Sequence, residues 1–102
     1  MTRIVWTEPA VADLQAIVDY IGRDSELYAS ATAERIVAAV GQLERFARSG
    51  RVVPEARSAL IREIIVGSYR VIYRARPGLV EVLAVVHAAR DLGGVPRKPW
   101  TR

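Results

Sequence analysis

The sequence predicts an α+β domain in the element order β-α-α-β-β-β, with an antiparallel sheet covered on one face by a helical hairpin. Three runs rich in β-branched and aromatic residues lie close together in the second half of the chain, separated by turn residues. Two amphipathic stretches with helical spacing precede them. A chain of 102 residues can form one core but not two, so residues 1–102 are predicted to be a single domain.

The three runs predict a meander of consecutive antiparallel strands. Gly67 and Ser68 form a two-residue connection, in which Gly at the first position favours a type II′ turn because it tolerates a positive φ. Pro77 and Gly78 give the second reversal, since Pro fixes φ and Gly can adopt the left-handed conformation. The predicted strands are Leu60–Val66, Tyr69–Arg76 and Leu79–Ala89.

Alternation along these strands predicts two faces of different character. A symmetric second turn would place Arg70 opposite Val85 and Arg74 opposite Glu81. The apolar face, predicted to lie under the helices, carries Ile64, Val66, Tyr69, Val71, Tyr73, Val80, Val82, Ala84 and Val86. The mixed face, predicted to stay open, carries Ile61, Glu63, Ile65, Arg70, Ile72, Arg74, Glu81, Leu83, Val85 and His87.

The first half of the chain predicts a short strand followed by two helices. Thr7 is a suitable N-cap for the first helix, and Pro9 is tolerated in its first turn. The short link between the helices predicts an antiparallel hairpin. The predicted bounds are Thr2–Trp6 for the strand, Glu8–Gly22 and Glu26–Arg48 for the helices, Arg51–Ala59 for a loop, and 91–102 for an irregular tail.

Composition limits the classes of function. The net charge is +4, and Lys98 is the only lysine, so the cations are almost all arginines, whose planar fork matches phosphate and carboxylate. Such a chain can attract nucleic acid or an acidic protein, and composition favours neither. The absence of cysteine excludes disulfides and thiolate metal sites and favours the cytoplasm. We expect no cofactor, no metal ion and no membrane partner, because no corresponding motif or apolar span is present.

Four side chains are candidates for a site. Arg70 and Arg74 have either of two interpretations: cross-strand ion pairing, with Glu63 and Glu81 as the carboxylates, or contact with a partner. His87 is the only histidine, and a lone histidine at a strand end favours a structural role. Glu55 lies in the predicted loop, where it is either a base or a surface residue. These residues alone define no reaction.

A set of short motifs, in order along almost the whole chain, resembles the RelE/ParE toxin superfamily. The motifs are Trp6-Thr7, Ala12-Asp13-Leu14, Ile17, Tyr20-Ile21, Gly50-Arg51, Pro54-Glu55, Arg62-Glu63-Ile64, Tyr69-Arg70-Val71-Ile72-Tyr73-Arg74 and Val85-Val86-His87-Ala88-Ala89-Arg90. The resemblance implies a bacterial or plasmid-borne toxin of a type II toxin–antitoxin system, kept silent by a cognate antitoxin encoded beside it.

The superfamily has two kinds of target. RelE-type toxins cleave mRNA on the ribosome, some of them with a carboxylate, an arginine and a C-terminal His-Tyr pair, whereas ParE-type toxins poison DNA gyrase. Glu55 and Arg70 fall at the positions of the carboxylate and the arginine, but Ala89 and Arg90 fall at those of the His-Tyr pair. The resemblance therefore implies a gyrase inhibitor that is not an enzyme. The alternatives are a ribonuclease using Glu55, Arg70 and His87, and a non-toxic relative that only binds a partner.

The same resemblance implies a hetero-oligomer of the toxin with its antitoxin. Antitoxin tails of this kind combine acidic residues with apolar anchors, and the predicted open face offers arginines beside apolar side chains. The outer groove of the helical hairpin is a second predicted docking place, for an amphipathic segment. The predicted partner-binding residues are Arg62, Arg70, Ile72, Arg74, Leu83, Val85 and Arg90.

Overall fold

The predicted α+β fold is confirmed in the computed structural model, which describes residues 2–101. The elements are β1 (Arg3–Trp6), α1 (Glu8–Gly22), α2 (Glu26–Gly41), β2 (Arg51–Val52), β3 (Ile61–Val66), β4 (Tyr69–Arg76) and β5 (Leu79–His87). Short 3-10 turns occupy Gln42–Glu44, Leu92–Gly94 and Pro99–Thr101. No helix within residues 2–101 has the length and apolarity to cross a bilayer.

The sheet has the strand order β1-β5-β4-β3-β2 and is mixed, because β1 runs parallel to β5. The prediction of a wholly antiparallel sheet is therefore wrong at this edge. Alternation along a strand reports which residues share a face but not the direction of the neighbouring strand, so the sequence pattern did not contain this information. The predicted loop after α2 also contributes a strand, since β2 pairs with Arg62 and Glu63 of β3.

Both helices begin with side-chain caps. The Thr7 hydroxyl accepts a hydrogen bond from the backbone N–H of Ala10 at 3.4 Å and donates one to the carbonyl of Val82 at 2.7 Å, which ties the start of α1 to β5. Ser25 accepts from the N–H of Tyr28 at 3.0 Å at the start of α2. The second helix is shorter than the predicted Glu26–Arg48. It ends at Gly41, and the next turn buries Leu43 against Tyr73, so that the chain leaves the helix axis to fill the core.

A β-bulge in β5 reverses part of the predicted face assignment. Tyr73 pairs with Val82 but Ile72 pairs with Ala84, so Leu83 is an extra residue without a partner on β4. One extra residue moves every later side chain to the opposite face. Val85 therefore packs under the helices, whereas Ala84 and Val86, which were predicted to lie there, are on the other face. The predicted pairing of Arg70 with Val85 is wrong as well, because Arg70 lies opposite Val86.

The mixed face of the sheet is covered, and the prediction that it stays open is wrong. A second core cluster on this face comprises Val53, Ile61, Ile72, Leu83, Ala84, Val86 and Leu92, with Ala56, Val95 and Trp100 packed against it. The loop after β2 and the C-terminal tail thus form a layer opposite the helices. The C-terminal tail contains two 3-10 turns and is anchored by Leu92, which is fully buried. The sequence predicted only an irregular segment there.

Gly50 allows the chain to pass close to the sheet just before β2. Its N–H donates a hydrogen bond of 3.0 Å to the hydroxyl of Tyr73. A Cβ atom at this position would lie 2.5 Å from the carbonyl oxygen of Glu63 and 2.6 Å from the Tyr73 hydroxyl. Only glycine fits this approach without displacing the backbone, which explains why Gly50 precedes the two-residue strand.

The face assignment of Val82 can be tested by substitution. Val82 is completely buried between β5 and the helices. We expect Val82→Asp to lower the free energy of unfolding by about 3 kcal/mol or more, because it buries a carboxylate without a partner. Val52→Asp, at a half-exposed position on β2, is the control and should change it by less than about 1 kcal/mol. If urea unfolding gives the same free energy of unfolding for both variants, Val82 does not face the core.

Candidate functional site

Four charged side chains from three strands and a loop form an ion cluster on the tail-covered face of the sheet. The Nε of Arg70 donates to Glu63 Oε1 at 2.6 Å, and its two terminal nitrogens donate to the Glu55 oxygens at 3.1 and 2.9 Å. Arg51 donates to the second oxygen of Glu63. The Arg70 side chain is 6% exposed and that of Glu63 is 0% exposed. The ion-pair interpretation of Arg70 is therefore confirmed, and its partners belong to the same chain.

The strand register explains why these residues meet. Arg51 on β2 lies directly opposite Glu63 on β3, and Arg70 on β4 reaches Glu63 diagonally from two positions away. Glu55 approaches from the loop that follows β2. Arg70 thus satisfies its donors with a bidentate contact to one carboxylate and a single bond to another, the geometry that the guanidinium fork favours.

The same cluster holds the C-terminal tail. Arg70 donates to the carbonyl of Arg90 at 3.1 Å, and Glu55 accepts from the N–H of Leu92 at 3.3 Å. Farther along β4, Arg74 donates to the carbonyl of Trp100 at 2.7 Å. These bonds fix the tail at both ends across the sheet, so the arginines of this face are structural anchors.

The charges of the cluster reinforce one another. The hydrogen bonds from Arg70 are the main cause that lowers the pKa of Glu55 from 4.5 to about 2, against the opposing effect of burial. Glu55 in turn raises the pKa of Arg70. A carboxylate with so low a pKa, and with both oxygens already accepting hydrogen bonds, is a weak proton acceptor near neutral pH.

His87 lies on the opposite face of the sheet from Arg70. It pairs with Tyr69 across the β4–β5 ladder, and the two rings meet edge to face with centroids 6.0 Å apart. Its Nδ1 accepts a hydrogen bond from the N–H of Ala89 at 3.1 Å. The prediction that Arg70, Arg74 and His87 share a face is wrong, because the bulge at Leu83 turns His87 to the helix side. Of the candidate trio Glu55, Arg70 and His87, only the first two come together.

The predicted partner-binding residues fall into two groups. Ile72, Leu83 and Val85 are buried in the fold together with Arg70, so they do not form the accessible surface that was predicted. Arg62 donates to the carbonyl of Gly50 at 2.9 Å, and Arg74 pairs with Glu81 at 3.7 Å, as the cross-strand interpretation predicted. Arg90 is exposed. A role for the accessible members in binding a partner stays a prediction.

Large apolar side chains are exposed on the helical hairpin, whose outer groove is also a predicted docking place, although the sequence did not identify these residues. Of the nine large hydrophobic side chains exposed among residues 2–101, five belong to the hairpin: Val11, Tyr20, Leu27, Tyr28 and Val37. The sequence of α2 does indicate exposed apolar side chains, because its apolar residues lie around most of the helix circumference instead of along a single stripe. Within residues 2–101, no cluster of three or more potential ligands could hold a metal ion.

Comparison with known proteins identifies the class of protein that this fold and cluster represent. A family model described as the ParE toxin of type II toxin–antitoxin systems (parDE) matches residues 4–92. The chain belongs to that family, within the superfamily that the sequence motifs resemble.

Two individual proteins illustrate the similarity. The chain is 40% identical over 91 residues to a protein named Toxin RelE2 from Caulobacter vibrioides, a match that covers 88% of this chain and 99% of the relative. It also resembles a chain of the chromosomal ParDE toxin–antitoxin system from P. aeruginosa, with a TM-score of 0.71 over 85% of this chain and 96% of the other. The identity of that second pair is 24%, so this likeness concerns the fold alone.

The lowered pKa of Glu55 predicts a specific dependence of stability on pH. Because the pKa is lower in the folded protein, the stabilisation is complete above about pH 5 and is lost as the pH falls towards 2. A change from 4.5 to about 2 corresponds to at most about 3 kcal/mol. We expect the difference in unfolding free energy between the parent and Glu55→Gln to shrink by about this amount over that range. The measurement is urea unfolding at several pH values.

A matched control separates this effect from general acid sensitivity. Glu34→Gln removes an exposed carboxylate from α2. Its stability difference from the parent should stay nearly constant over the same pH range. If Glu55→Gln behaves as this control does, Glu55 is not held by Arg70 in solution.

Proposed function

We propose that this chain inhibits bacterial growth by acting on DNA gyrase in the cytoplasm, and that a cognate antitoxin encoded beside it neutralises it. Membership of the ParE toxin family supports this target. The observation that carries the proposal is the separation of the residues that a ribonuclease would need. Glu55 and Arg70 are tied into an intramolecular ion cluster, and His87 lies on the other face of the sheet.

Cleavage of RNA requires one group that takes the proton of the 2′-hydroxyl and another that protonates the leaving oxygen. Glu55 is ionised but its oxygens are occupied by Arg70 and by the N–H of Leu92. Ala89 has only a methyl group, and an arginine such as Arg90 offers hydrogen-bond donors but no acceptor that could take a proton. The accessible surface therefore offers no acid–base pair among the residues that the resemblance selects, which supports a target that is bound instead of cleaved.

One observation favours the alternative, an mRNA ribonuclease of the RelE type. The relative from C. vibrioides is named Toxin RelE2 and is 40% identical to this chain. Under this alternative, the tail would move away so that Glu55 and Arg70 could reach RNA. A non-toxic binding relative is the second alternative, and expression without the antitoxin distinguishes it, because such a protein would leave growth unchanged.

Purified protein assayed on both targets tests the proposal. We expect inhibition of gyrase supercoiling and no cleavage of ribosome-bound mRNA. We also expect His87→Ala to inhibit gyrase as the parent does, because only the ribonuclease alternative gives His87 a catalytic role. Codon-dependent cuts in ribosome-bound mRNA, abolished by Arg70→Gln in a variant that still folds, would establish the RelE-type alternative.

For the antitoxin, we propose a docking place on the exposed apolar surface of the hairpin. Leu27 and Val37 are both exposed on α2, with exposed fractions of 84% and 50%, and they lie about 15 Å apart along its axis and about 80° apart around it. An amphipathic segment that folds on binding needs such apolar anchors, because charge alone does not offset its ordering entropy. The tail-covered face offers fewer anchors, since its apolar residues are already buried by residues 92–100.

Substitution of the two anchors tests this docking place. We expect Leu27→Ser combined with Val37→Ser to weaken antitoxin binding at least about tenfold, because two apolar side chains lose their burial in the complex. The melting temperature of the free toxin should stay within about 2 °C of the parent, since neither residue is in the core. Isothermal titration calorimetry gives the affinity. Ile65→Ser, at an exposed position on β3, is the control, and an equal loss of affinity in this control would contradict the proposed location.

A further inference from the structure

A groove of about 520 Å³ lies on the helix side of the sheet, at the end where β4 turns into β5. One wall is the segment after α2, with Arg45, Phe46 and Arg48. The other wall is the turn formed by Arg76 and Pro77. Arg76 is six residues beyond Arg70 along β4, or about 20 Å, so the groove is far from the ion cluster.

Both walls are held in place by the fold. The N–H of Phe46 donates to the carbonyl of Gln42 at 3.0 Å, and the carbonyl of Phe46 accepts from the N–H of Ser49 at 3.0 Å. On the opposite wall, Gly78 has a φ of 73°, and its carbonyl accepts a hydrogen bond of 2.9 Å from the N–H of Arg3. The groove is therefore formed before any ligand binds, which reduces the entropy that binding would lose.

The charge of the groove is positive and not compensated. Its ten lining residues include three arginines and no carboxylate. Within residues 2–101, neither Arg45 nor Arg48 forms a salt bridge, whereas Arg70 and Arg74 on the tail-covered face are both paired. Arg76 lies at the turn that forms one wall, but its guanidinium pairs with Glu81 at 3.3 Å on the tail-covered face of the sheet. The guanidinium groups of Arg45 and Arg48 thus have donors available for anionic oxygens.

The groove also contains an exposed aromatic ring, that of Phe46. Phe46 is 59% exposed, although Leu43 in the same segment is completely buried. The core therefore does not account for Phe46, which lies between Arg45 and Arg48 in the sequence and lines the same groove as Pro77. Cationic groups that alternate with an exposed aromatic ring are the pattern of surfaces that follow a sugar–phosphate backbone and stack its bases.

We propose that this groove binds single-stranded nucleic acid, with the phosphates on Arg45 and Arg48 and one base stacked on Phe46. A duplex hides the faces of its bases, so it would leave the ring unused. An acidic peptide would use the arginines, but its carboxylate side chains have no aromatic face that could stack on the ring. The inference is independent of the gyrase proposal, since it concerns a different surface and requires no catalysis.

Fluorescence anisotropy with a labelled thymidine oligomer tests the groove, since about 12 nucleotides span a site of this kind. Two phosphate contacts predict that the logarithm of the association constant falls with the logarithm of the salt concentration with a slope of about −1.4. Arg45→Gln and Arg48→Gln should each reduce the size of this slope by about 0.7. Phe46→Leu should weaken binding about tenfold without changing the slope, because one base loses its stacking partner.

Two controls lie outside the groove. Tyr28→Leu removes an exposed aromatic ring from α2, and Arg97→Gln removes an exposed arginine from the tail, and both should bind as the parent does. All variants are first compared by thermal melting, because each changes an exposed side chain and should leave the fold intact. An absence of binding, or a slope that is the same in Arg45→Gln and Arg48→Gln as in the parent, would overturn the proposal. Displacement of the oligomer by poly-glutamate, without any effect of Phe46→Leu, would instead assign the groove to an acidic protein segment.

Discussion

The contact between Arg70 and two glutamates holds together the half of the protein that the helices do not cover. Arg70 connects β4 to Glu63 on β3, to Glu55 in the loop and to the carbonyl of Arg90 at the start of the tail. An ion cluster of this kind is strongly destabilised by the loss of one member, about 3–5 kcal/mol, because a buried charge is left without a partner. The second core cluster around Ile72 and Leu92 depends on it, since the loop and the tail are otherwise attached to the sheet mainly by apolar contacts.

The bulge at Leu83 decides what this cluster can do. Without the extra residue, His87 would lie on the same face as Arg70, as strict alternation predicts. With it, the imidazole packs against Tyr69 on the helix side, so the trio Glu55, Arg70 and His87 of the ribonuclease alternative is divided between two faces. A single inserted residue in one strand thus separates a structural anchor from a potential acid.

Local signals in the sequence predicted the helix α1, the strand β4 and the two turns well. The bounds Glu8–Gly22 and Tyr69–Arg76 are those of the structure, and Gly67 and Gly78 have the positive φ values that their turns require. The errors in the sheet and the tail concern contacts between separate segments: the parallel pairing of β1, the bulge in β5 and the docking of the tail. The end of α2 was also predicted wrongly, since the helix stops at Gly41 and not at Arg48. A bulge leaves no mark in hydrophobic alternation when both faces are apolar, as they are around Leu83. The cluster itself was half predicted, because the diagonal of Glu63 and Arg70 follows from the turn, whereas the arrival of Glu55 depends on the path of a loop.

The structure divides the arginines into those that are paired within the fold and those that are available to a partner, which composition alone could not do. Arg51, Arg70 and Arg74 serve the fold through carboxylates of the same chain, so their charge is neutralised within the sheet. The arginines of the groove beside Phe46 remain largely available to solvent, and the apolar side chains of the hairpin lie on a separate surface. An antitoxin that occupies the hairpin through apolar burial would therefore leave the cationic groove accessible unless its chain extends around the end of the sheet. The fold thus separates an apolar surface, suited to a tight and salt-resistant complex, from a cationic one, whose binding must weaken as salt rises.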